Sequence, residues 1–264
     1  MTTSIVVKDV SKTFRYQAHP TLKKVLQDRL RGDTASGSFK ALDGVSFEVQ
    51  QGESIGLMGL NGSGKSTLLK LVSGVMRPDQ GEVLVRGRIS GLIATGAGFH
   101  NELSGRDNIY MNAAMLGMTK EETDAKFDDI AAFADVGRFM DTPVGNYSSG
   151  MFARLGFSVA IHVDSDIFLA DEVLAVGDRP FKRKCMEKME EIRTSGRTLL
   201  YVSHAAGSVR KMCDRVIVLE KGRVGFDGDV DEGIRYLKYD DDTTENEPDE
   251  DDTEDMDDDL GADI

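Results

Sequence analysis

The residues with the clearest chemical potential form one glycine-rich stretch, Gly59-Leu60-Asn61-Gly62-Ser63-Gly64-Lys65-Ser66. This stretch matches the pattern G-x-x-x-x-G-K-[ST] in full, and Thr67 continues it into a predicted helix. Glycines let the backbone curl until successive N–H groups point inward, and the helix adds its own unsatisfied N–H groups. Such a cradle binds phosphate oxygens, while Lys65 reaches the β- and γ-phosphates and the Ser66 hydroxyl ligates Mg²⁺. The stretch therefore predicts a nucleoside triphosphate site.

Two further groups of residues could complete a hydrolytic site. The apolar residues 167–170 end in Asp171 and Glu172. A carboxylate at the end of a buried strand needs a partner, and Mg²⁺ suits Asp171, whereas Glu172 could orient and polarise an attacking water. His204 follows the apolar residues 198–202 and could contact the γ-phosphate side of the site. Acidic strand ends also occur at ordinary turns, and single histidines are often structural. The roles of Asp171, Glu172 and His204 are therefore supported mainly by the presence of the phosphate loop in the same chain.

Strand and helix patterns alternate along the chain and must position these residues. Residues 54–58 form an apolar strand before the phosphate loop, and residues 67–71 form the helix after it. The other predicted elements are strands 4–7, 45–49, 167–170 and 198–202, and a helix with Cys185, Met186, Met189 and Ile192 on one face. Residues 104–163 have a mostly helical pattern, in which Thr119 and Glu122 predict a capping box. The order predicts an α/β core with an inserted helical block.

The charge is distributed very unevenly along the chain. The formal net charge is −14, but 15 of the 46 acidic residues and no Lys or Arg lie in residues 240–264. The rest holds 31 acids and 32 bases, so this near-neutral part gives no support for a nucleic-acid footprint. The acidic end predicts a disordered, solvated tail, with a specific role in interactions as the alternative.

Composition and length narrow the class of protein. With 264 residues and 40% hydrophobic residues, the sequence fits a soluble globular protein and contains no apolar run long enough for a spanning helix. Residues 1–5 lack the basic and apolar regions of a signal peptide. Cys185 and Cys213 are too few for a disulfide framework. We therefore expect the protein to work inside the cell.

At this point the sequence resembles the ATP-binding subunits of ABC transporters. The distinguishing stretch is Tyr147-Ser148-Ser149-Gly150-Met151, which is similar to the L-S-G-G-Q signature but departs at its first, third and fifth positions. The resemblance implies a P-loop NTPase with a RecA-like core of the ABC ATPase type and an inserted helical subdomain. The implied bounds are about 1–90 and 164–239 for the core, about 100–163 for the subdomain, and 240–264 for the tail.

The resemblance also implies roles for individual residues. Ser148, Ser149 and Gly150 would bind the ATP held by a second copy of the chain, in a head-to-tail dimer with two shared sites. The further implied roles are Asp171 as Walker B magnesium ligand, Glu172 as catalytic base, Asp178 as D-loop acid, His204 as switch histidine, and Phe14 as the aromatic that stacks on adenine, with Tyr16 as the alternative. One departure stands where the family has its Q-loop glutamine, because residues 93–96 supply no amide or carboxylate.

A closer likeness points to one branch of the family. Residues 148–160 and 171–178 resemble the matching stretches of polysaccharide exporters, which move lipid-linked O-antigen, teichoic acid or cell-wall galactan. This implies ATP hydrolysis at the cytoplasmic face of the cell membrane, with an integral permease as partner. The 25 residues of the acidic end are too few for the carbohydrate-binding domain that some relatives add.

Three points stay open at this stage. Residues 22–30 have an amphipathic helical pattern, which fits either packing on the chain's own domain or docking on the permease. The transported substrate could also be another compound, such as a lipid or drug. The chain could also be a soluble ABC protein that acts on ribosomes or DNA, but the single phosphate loop and the lack of sustained heptads disfavour this class.

Overall fold

The computed structural model describes residues 2–17, 36–91, 98–171 and 178–237. Four of the sequence predictions lie outside these ranges: the helix at residues 22–30, the segment 93–96, the catalytic role of Glu172, and the acidic tail at 240–264.

Nine strands and seven helices follow one another within the described ranges. The strands are β1 Thr3–Gln17, β2 Ser36–Gln50, β3 Ser54–Met58, β4 Gln80–Val85, β5 Ile89–Gly91, β6 Ile167–Ala170, β7 Thr198–Val202, β8 Arg215–Glu220 and β9 Arg223–Gly228. The helices are α1 Lys65–Val72, α2 Gly105–Met115, α3 Lys120–Ala134, α4 Ser149–His162, α5 Arg179–Thr194, α6 Ala206–Met212 and α7 Val230–Tyr236. Each of these helices falls short of the length and apolar character that a bilayer span requires.

A six-stranded sheet in the order β5-β6-β7-β3-β8-β9 forms the centre of the molecule. Its strands are parallel except β9, which pairs with β8 in the antiparallel direction. Strand β3 is buried along its whole length because it lies between β7 and β8 with both of its faces covered. The carboxyl ends of parallel strands meet at one sheet edge, so the loops that follow β3, β6 and β7 come together there.

Alternate residues of the buried strands face two different cores. On one side, Phe168 and Tyr201 pack with residues of α4, α5, α6 and α7. On the other side, Ile55, Leu57 and Leu169 pack with α1 and with a second sheet of order β2-β1-β4. This layering confirms the predicted α/β core.

The inserted helices have a core of their own. Ile109 of α2, Ile130 of α3 and Leu155 of α4 are fully buried in it. The predicted capping box is confirmed at the start of α3: the Thr119 hydroxyl accepts from the Glu122 N–H, and the Glu122 carboxylate accepts from the Thr119 N–H. The helical block is therefore stabilised both by its own core and by the capped start of α3.

Candidate nucleotide site

The phosphate loop joins β3 to α1 in a conformation that demands glycine. Gly59, Gly62 and Gly64 all have positive φ, of 140°, 79° and 112°. A Cβ on Gly59 would lie 2.2 Å from the Leu219 carbonyl oxygen, and a Cβ on Gly64 would lie 2.7 Å from the Ala41 carbonyl oxygen. Close backbone packing at these two positions, and backbone conformation at Gly62, explain why side chains are excluded.

The turn between β8 and β9 holds this loop from behind. The Gly222 N–H donates to the Ser63 carbonyl at 3.0 Å, and the Gly222 carbonyl accepts from the Asp43 N–H at 2.8 Å. Lys221 and Gly222 have φ values of 47° and 81°, which is the pattern of a two-residue hairpin turn with both central residues left-handed. A Cβ on Gly222 would lie 2.7 Å from the Ala41 carbonyl oxygen, so the turn fits closely against β2.

The loop collects hydrogen-bond donors and one buried cation. The Lys65 ammonium donates to the carbonyl oxygens of Gly59 at 2.6 Å and Leu60 at 3.1 Å. The Ser63 hydroxyl is buried and has no hydrogen-bond partner in the structure. Helix α1 begins at Lys65 without a side-chain cap, so its first N–H groups remain for a ligand. This combination of positive charge and inward donors suits an anion.

A cavity of about 260 Å³ opens over the phosphate loop. It is lined by Phe39, Ala41, Asn61, Gly62, Ser63, Gly64, Lys65, Ser66, Thr67, Asp171, Val202 and His204. The sheet topology thus brings Asp171 and His204 to the phosphate loop, although they lie far from it along the chain. Gly59 and Leu60 are not among the lining residues, and their described role is to accept from Lys65.

Oxygen ligands for a metal ion face this cavity from two elements. The Ser66 hydroxyl and the Asp171 carboxylate both line it. In the described residues no three His, Cys, Asp or Glu side chains gather as a metal cage. Mg²⁺ binds through one or two protein oxygens together with phosphate and water, so this sparse set fits it.

The side chain of Phe14, which the resemblance predicts to stack on adenine, is not among the residues that line the cavity. Phe14 lies directly opposite Phe39 in the antiparallel pairing of β1 with β2. Strand β2 is the one that contacts the phosphate loop, so Phe39 reaches the cavity and Phe14 lies one strand further away. The side chain of the alternative, Tyr16, lies outside the described part.

Comparison with known proteins agrees with this geometry. The family described as ABC transporter matches residues 42–175, about half of the chain, and the match includes the phosphate loop and Asp171. The chain belongs to the ABC transporter family. It is an ABC ATPase, and ATP is the nucleotide that it binds.

Relatives of this ABC ATPase include exporters of cell-surface polymers. The chain is 45% identical to the ABC transporter protein AbcA of Aeromonas salmonicida over 85% of this chain and 72% of that protein. It is 45% identical to the O-antigen export system ATP-binding protein RfbB of Klebsiella pneumoniae, over 76% of this chain and 81% of that one. It is 45% identical to the teichoic acids export ATP-binding protein TagH of Levilactobacillus brevis over 76% of this chain, but spans only 55% of TagH.

Solved structures show the same fold. The dimeric, post-hydrolysis structure of the ATP-binding cassette MJ0796 bound to ADP and Pi aligns with a TM-score of 0.67, over 86% of this chain and 98% of that one. The sequences are 21% identical, so the likeness establishes the fold.

The signature stretch of the ABC ATPase lies at the start of α4, outside the cavity. The Ser148 side chain caps this helix by accepting from the Met151 N–H at 3.2 Å. Ser148 and Ser149 are exposed, and a Cβ on Gly150 would meet only the Ser148 hydroxyl, at 3.9 Å. Tyr147 anchors the stretch by donating from its hydroxyl to the Phe139 carbonyl at 2.7 Å. The helix start is therefore fixed and open to an external ligand.

Asp178 also lies outside the cavity lining. Its carboxylate caps α5 by accepting from the Phe181 N–H at 3.2 Å and pairs with the Arg154 guanidinium at 2.6 Å. Desolvation raises the pKa of Asp178, but the Phe181 N–H and Arg154 outweigh it, so that the pKa lies below its usual value. Sequence reasoning placed this acid in the D-loop and did not foresee Arg154 as its partner.

The two cysteines have no part in the site. Cys185 and Cys213 are buried, and burial raises the pKa of each thiol to about 12. Thiols in such surroundings are not nucleophilic at neutral pH.

Proposed function

We propose that this ABC ATPase is the ATP-hydrolysing subunit of a transporter that exports a lipid-linked polysaccharide across the cytoplasmic membrane. The observation that carries the ATPase assignment is the cavity in which Lys65, Asp171 and His204 meet at one sheet edge. The substrate class rests on the relatives that are named for O-antigen and teichoic acid export. A lipid or drug is the alternative cargo.

The phosphate loop binds the triphosphate in this proposal. Its inward N–H groups and the start of α1 hold the phosphate oxygens, and Lys65 turns from the Gly59 and Leu60 carbonyls to the β- and γ-phosphates. Ser66 and Asp171 would hold Mg²⁺, which would neutralise charge on the phosphates. Phe39 offers its ring to adenine at the mouth of the cavity.

Hydrolysis requires groups that act on water and on the γ-phosphate. Glu172, which follows Asp171 directly, orients and polarises the attacking water, and His204 contacts the γ-phosphate side. Glu172 lies outside the described residues, so its role rests on its place in the sequence.

A second copy of the chain completes each site. Ser148, Ser149 and Gly150 are exposed or half-buried at the start of α4 and do not line the cavity of their own chain. In a head-to-tail dimer, this helix start faces the ATP of the other subunit, where its N–H groups bind the γ-phosphate. Asp178 lies near the same interface.

An integral permease is the remaining partner and holds the subunit at the cytoplasmic face of the membrane. The name of one relative, O-antigen export system ATP-binding protein, supports a separate membrane subunit as the partner that provides the transport path. Residues 22–30 are the proposed contact with the permease, and no nucleic acid takes part.

Two substitutions test the chemistry. Glu172→Gln should keep ATP binding but lose hydrolysis by about 10²–10⁴-fold, because an amide cannot act as the base. Lys65→Ala should weaken ATP binding itself. Lys70→Ala, an exposed lysine of the same helix, is the matched control and should change neither. ATP affinity and phosphate release are measured for each, and a wild-type rate in Glu172→Gln would refute the assigned base.

The cargo is tested with the subunit and its permease reconstituted in vesicles. ATP hydrolysis should rise when a lipid-linked polysaccharide is added and should not rise with phospholipid alone. Stimulation by unlinked lipids or drugs, without a response to the polysaccharide, would favour the alternative cargo.

A further inference from the structure

The side chain of Arg154 lies at the junction between the helical block and the nucleotide-binding core. It belongs to α4, and its guanidinium lies 2.6 Å from the Asp178 carboxylate and 5.0 Å from the ring centre of Phe181. Asp178 and Phe181 both belong to the start of α5. The Arg154 side chain is 18% exposed and the Asp178 side chain 58%, so the arginine is held against the protein while the carboxylate stays open to water.

Phe181 is the apolar half of the same junction. Its buried ring packs edge-on against Phe133 of α3 at 5.5 Å and against Phe157 of α4 at 5.8 Å between ring centres. The start of α5 therefore packs against α3 and α4 through this ring, and the Arg154 guanidinium lies over it. An arginine is suited to this position because its planar group can stack on a ring and donate to a carboxylate at once.

Arg154 joins α4 to the start of α5, and each of these elements lies close in sequence to residues proposed to act at the phosphates. Arg154 lies about 7.5 Å along α4 from Ser149, at the helical rise of about 1.5 Å per residue. Asp178 is the first described residue after Asp171, which lines the cavity at the end of β6. The signature end of α4 and the chain that leaves Asp171 are thus tied together by one side chain.

We propose that Arg154 is a positioning residue for ATP hydrolysis, which holds the start of α5 against α4 through Asp178 and Phe181. This role rests on the proposed function, in which the signature stretch and the residues after β6 act on the same reaction from opposite sides of the dimer interface. Arg154 touches neither ATP nor metal. It sets the relation between two elements whose misplacement by a fraction of an ångström slows a chemical step.

A second carboxylate near Arg154 provides the matched control. Asp135, at the end of α3, lies 4.0 Å from the guanidinium, beyond hydrogen-bonding distance, and does not connect to the core. Asp135 has a φ of 51°, a conformation that asparagine also tolerates. Asp135→Asn removes a charge next to Arg154 without touching the junction.

The test uses the full-length protein with Arg154→Gln, Asp178→Asn, both together, and Asp135→Asn. Asparagine still caps a helix, so Asp178→Asn removes the ion pair and keeps the start of α5. We expect kcat to fall by about tenfold or more in each junction variant, with KM for ATP and melting temperature close to wild type. The double variant should be no slower than the slower single one, and Arg154→Lys should recover part of kcat. Asp135→Asn should match wild type.

Several results would contradict the positioning role of Arg154. Wild-type kcat in Arg154→Gln or Asp178→Asn would overturn the positioning role, and so would single losses that multiply in the double variant. Parallel loss of melting temperature and ATP affinity, with kcat unchanged in the folded fraction, would reduce Arg154 to a structural residue. A wild-type protein that does not hydrolyse ATP would instead refute the proposed function and this role with it.

Discussion

At the scale of single residues, the polar groups of the site differ in whether the chain itself provides their hydrogen-bond partners. Lys65 is buried, and its ammonium is held by the Gly59 and Leu60 carbonyls. A buried cation without partners would be costly, so these carbonyls stabilise it until phosphate oxygens replace them. The Ser63 hydroxyl lacks such a partner in the structure and gains one when an anion enters.

Phe39 gives a prediction at the same scale. Phe39→Ala should weaken ATP binding by about tenfold, because stacking of a base on an aromatic ring contributes about 1–3 kcal/mol. Binding of tripolyphosphate, which has no base, should not change. The control is Phe14→Ala, the residue paired with Phe39 on the neighbouring strand. ATP and tripolyphosphate affinities are compared by calorimetry. Weaker ATP binding in the Phe14 variant alone would favour Phe14, as the sequence predicts, as the residue that stacks on adenine.

At the scale of elements, continuous apolar runs were the best guide to the fold. The predicted strands 54–58, 167–170 and 198–202 are confirmed with the same bounds in β3, β6 and β7. These strands are buried on both faces, so their residues carry the full signal of burial. The helix predicted from residue 67 begins two residues earlier, at Lys65, because the phosphate loop closes directly into it.

Strands that are stabilised mainly by pairing with a neighbouring strand were not predicted from the sequence. Strand β9 has alternating exposed and half-buried residues and was not predicted, nor were β4 and β5. Strand β8 was also not predicted, although its four central residues form a fully buried apolar run. Strand β1 runs from Thr3 to Gln17 because it pairs with β2 along that length, and this includes Val10 and Phe14 after the apolar residues 4–7. The same pairing decides that Phe39 rather than Phe14 lines the cavity, which no local pattern in the sequence could show.

The end of α4 gives a pH-dependent prediction. His162 donates its Nδ1–H to the Ser158 carbonyl at 2.7 Å, and its ring packs edge-on against Phe133. Burial lowers the pKa of His162 below 6.5, the Ser158 carbonyl raises it in part, and Lys188 and Lys126 oppose the smaller effect of Asp129. Below about pH 6.5 the unfolded chain therefore binds a proton more readily than the folded chain.

The sign of the effect follows from that difference. The contribution of His162 to stability is complete above about pH 6.5 and decreases as the pH falls through its lower folded-state pKa. His162→Gln should flatten this part of the curve, as measured by urea unfolding between pH 5 and about pH 7.5. His100→Gln, at an exposed histidine, is the control and should leave the slope as in wild type. An unchanged slope in His162→Gln would show that other groups produce it.

At the scale of the whole molecule, the proposed dimer makes a prediction about mixed subunits. Lys65→Ala disables the phosphate loop, and Gly150→Asp places a negative charge at the signature stretch. The structure has room for the new side chain at Gly150. In a head-to-tail dimer, one subunit of each kind leaves one site with both parts intact. Hydrolysis should therefore reappear when the two inactive proteins are mixed.

The recovered rate is read from a titration of one variant against the other. With one intact site in mixed dimers, activity should be highest near equal amounts and absent at either end. Lys65→Ala mixed with Glu172→Gln is the control, because both changes lie in the same half-site. Recovery in this control, or none in the first mixture, would contradict the shared arrangement.

The hairpin turn behind the phosphate loop has a consequence for the thermodynamics of binding. Because Gly222 fixes the Ser63 carbonyl and fits against β2, contacts within the chain itself hold the loop in its curved conformation. Little conformational entropy is then lost when ATP binds, so the favourable enthalpy of the phosphate contacts is retained in the affinity. A substitution at Lys221 or Gly222 that loosened the turn should therefore raise the ordering cost of a ligand that neither residue touches.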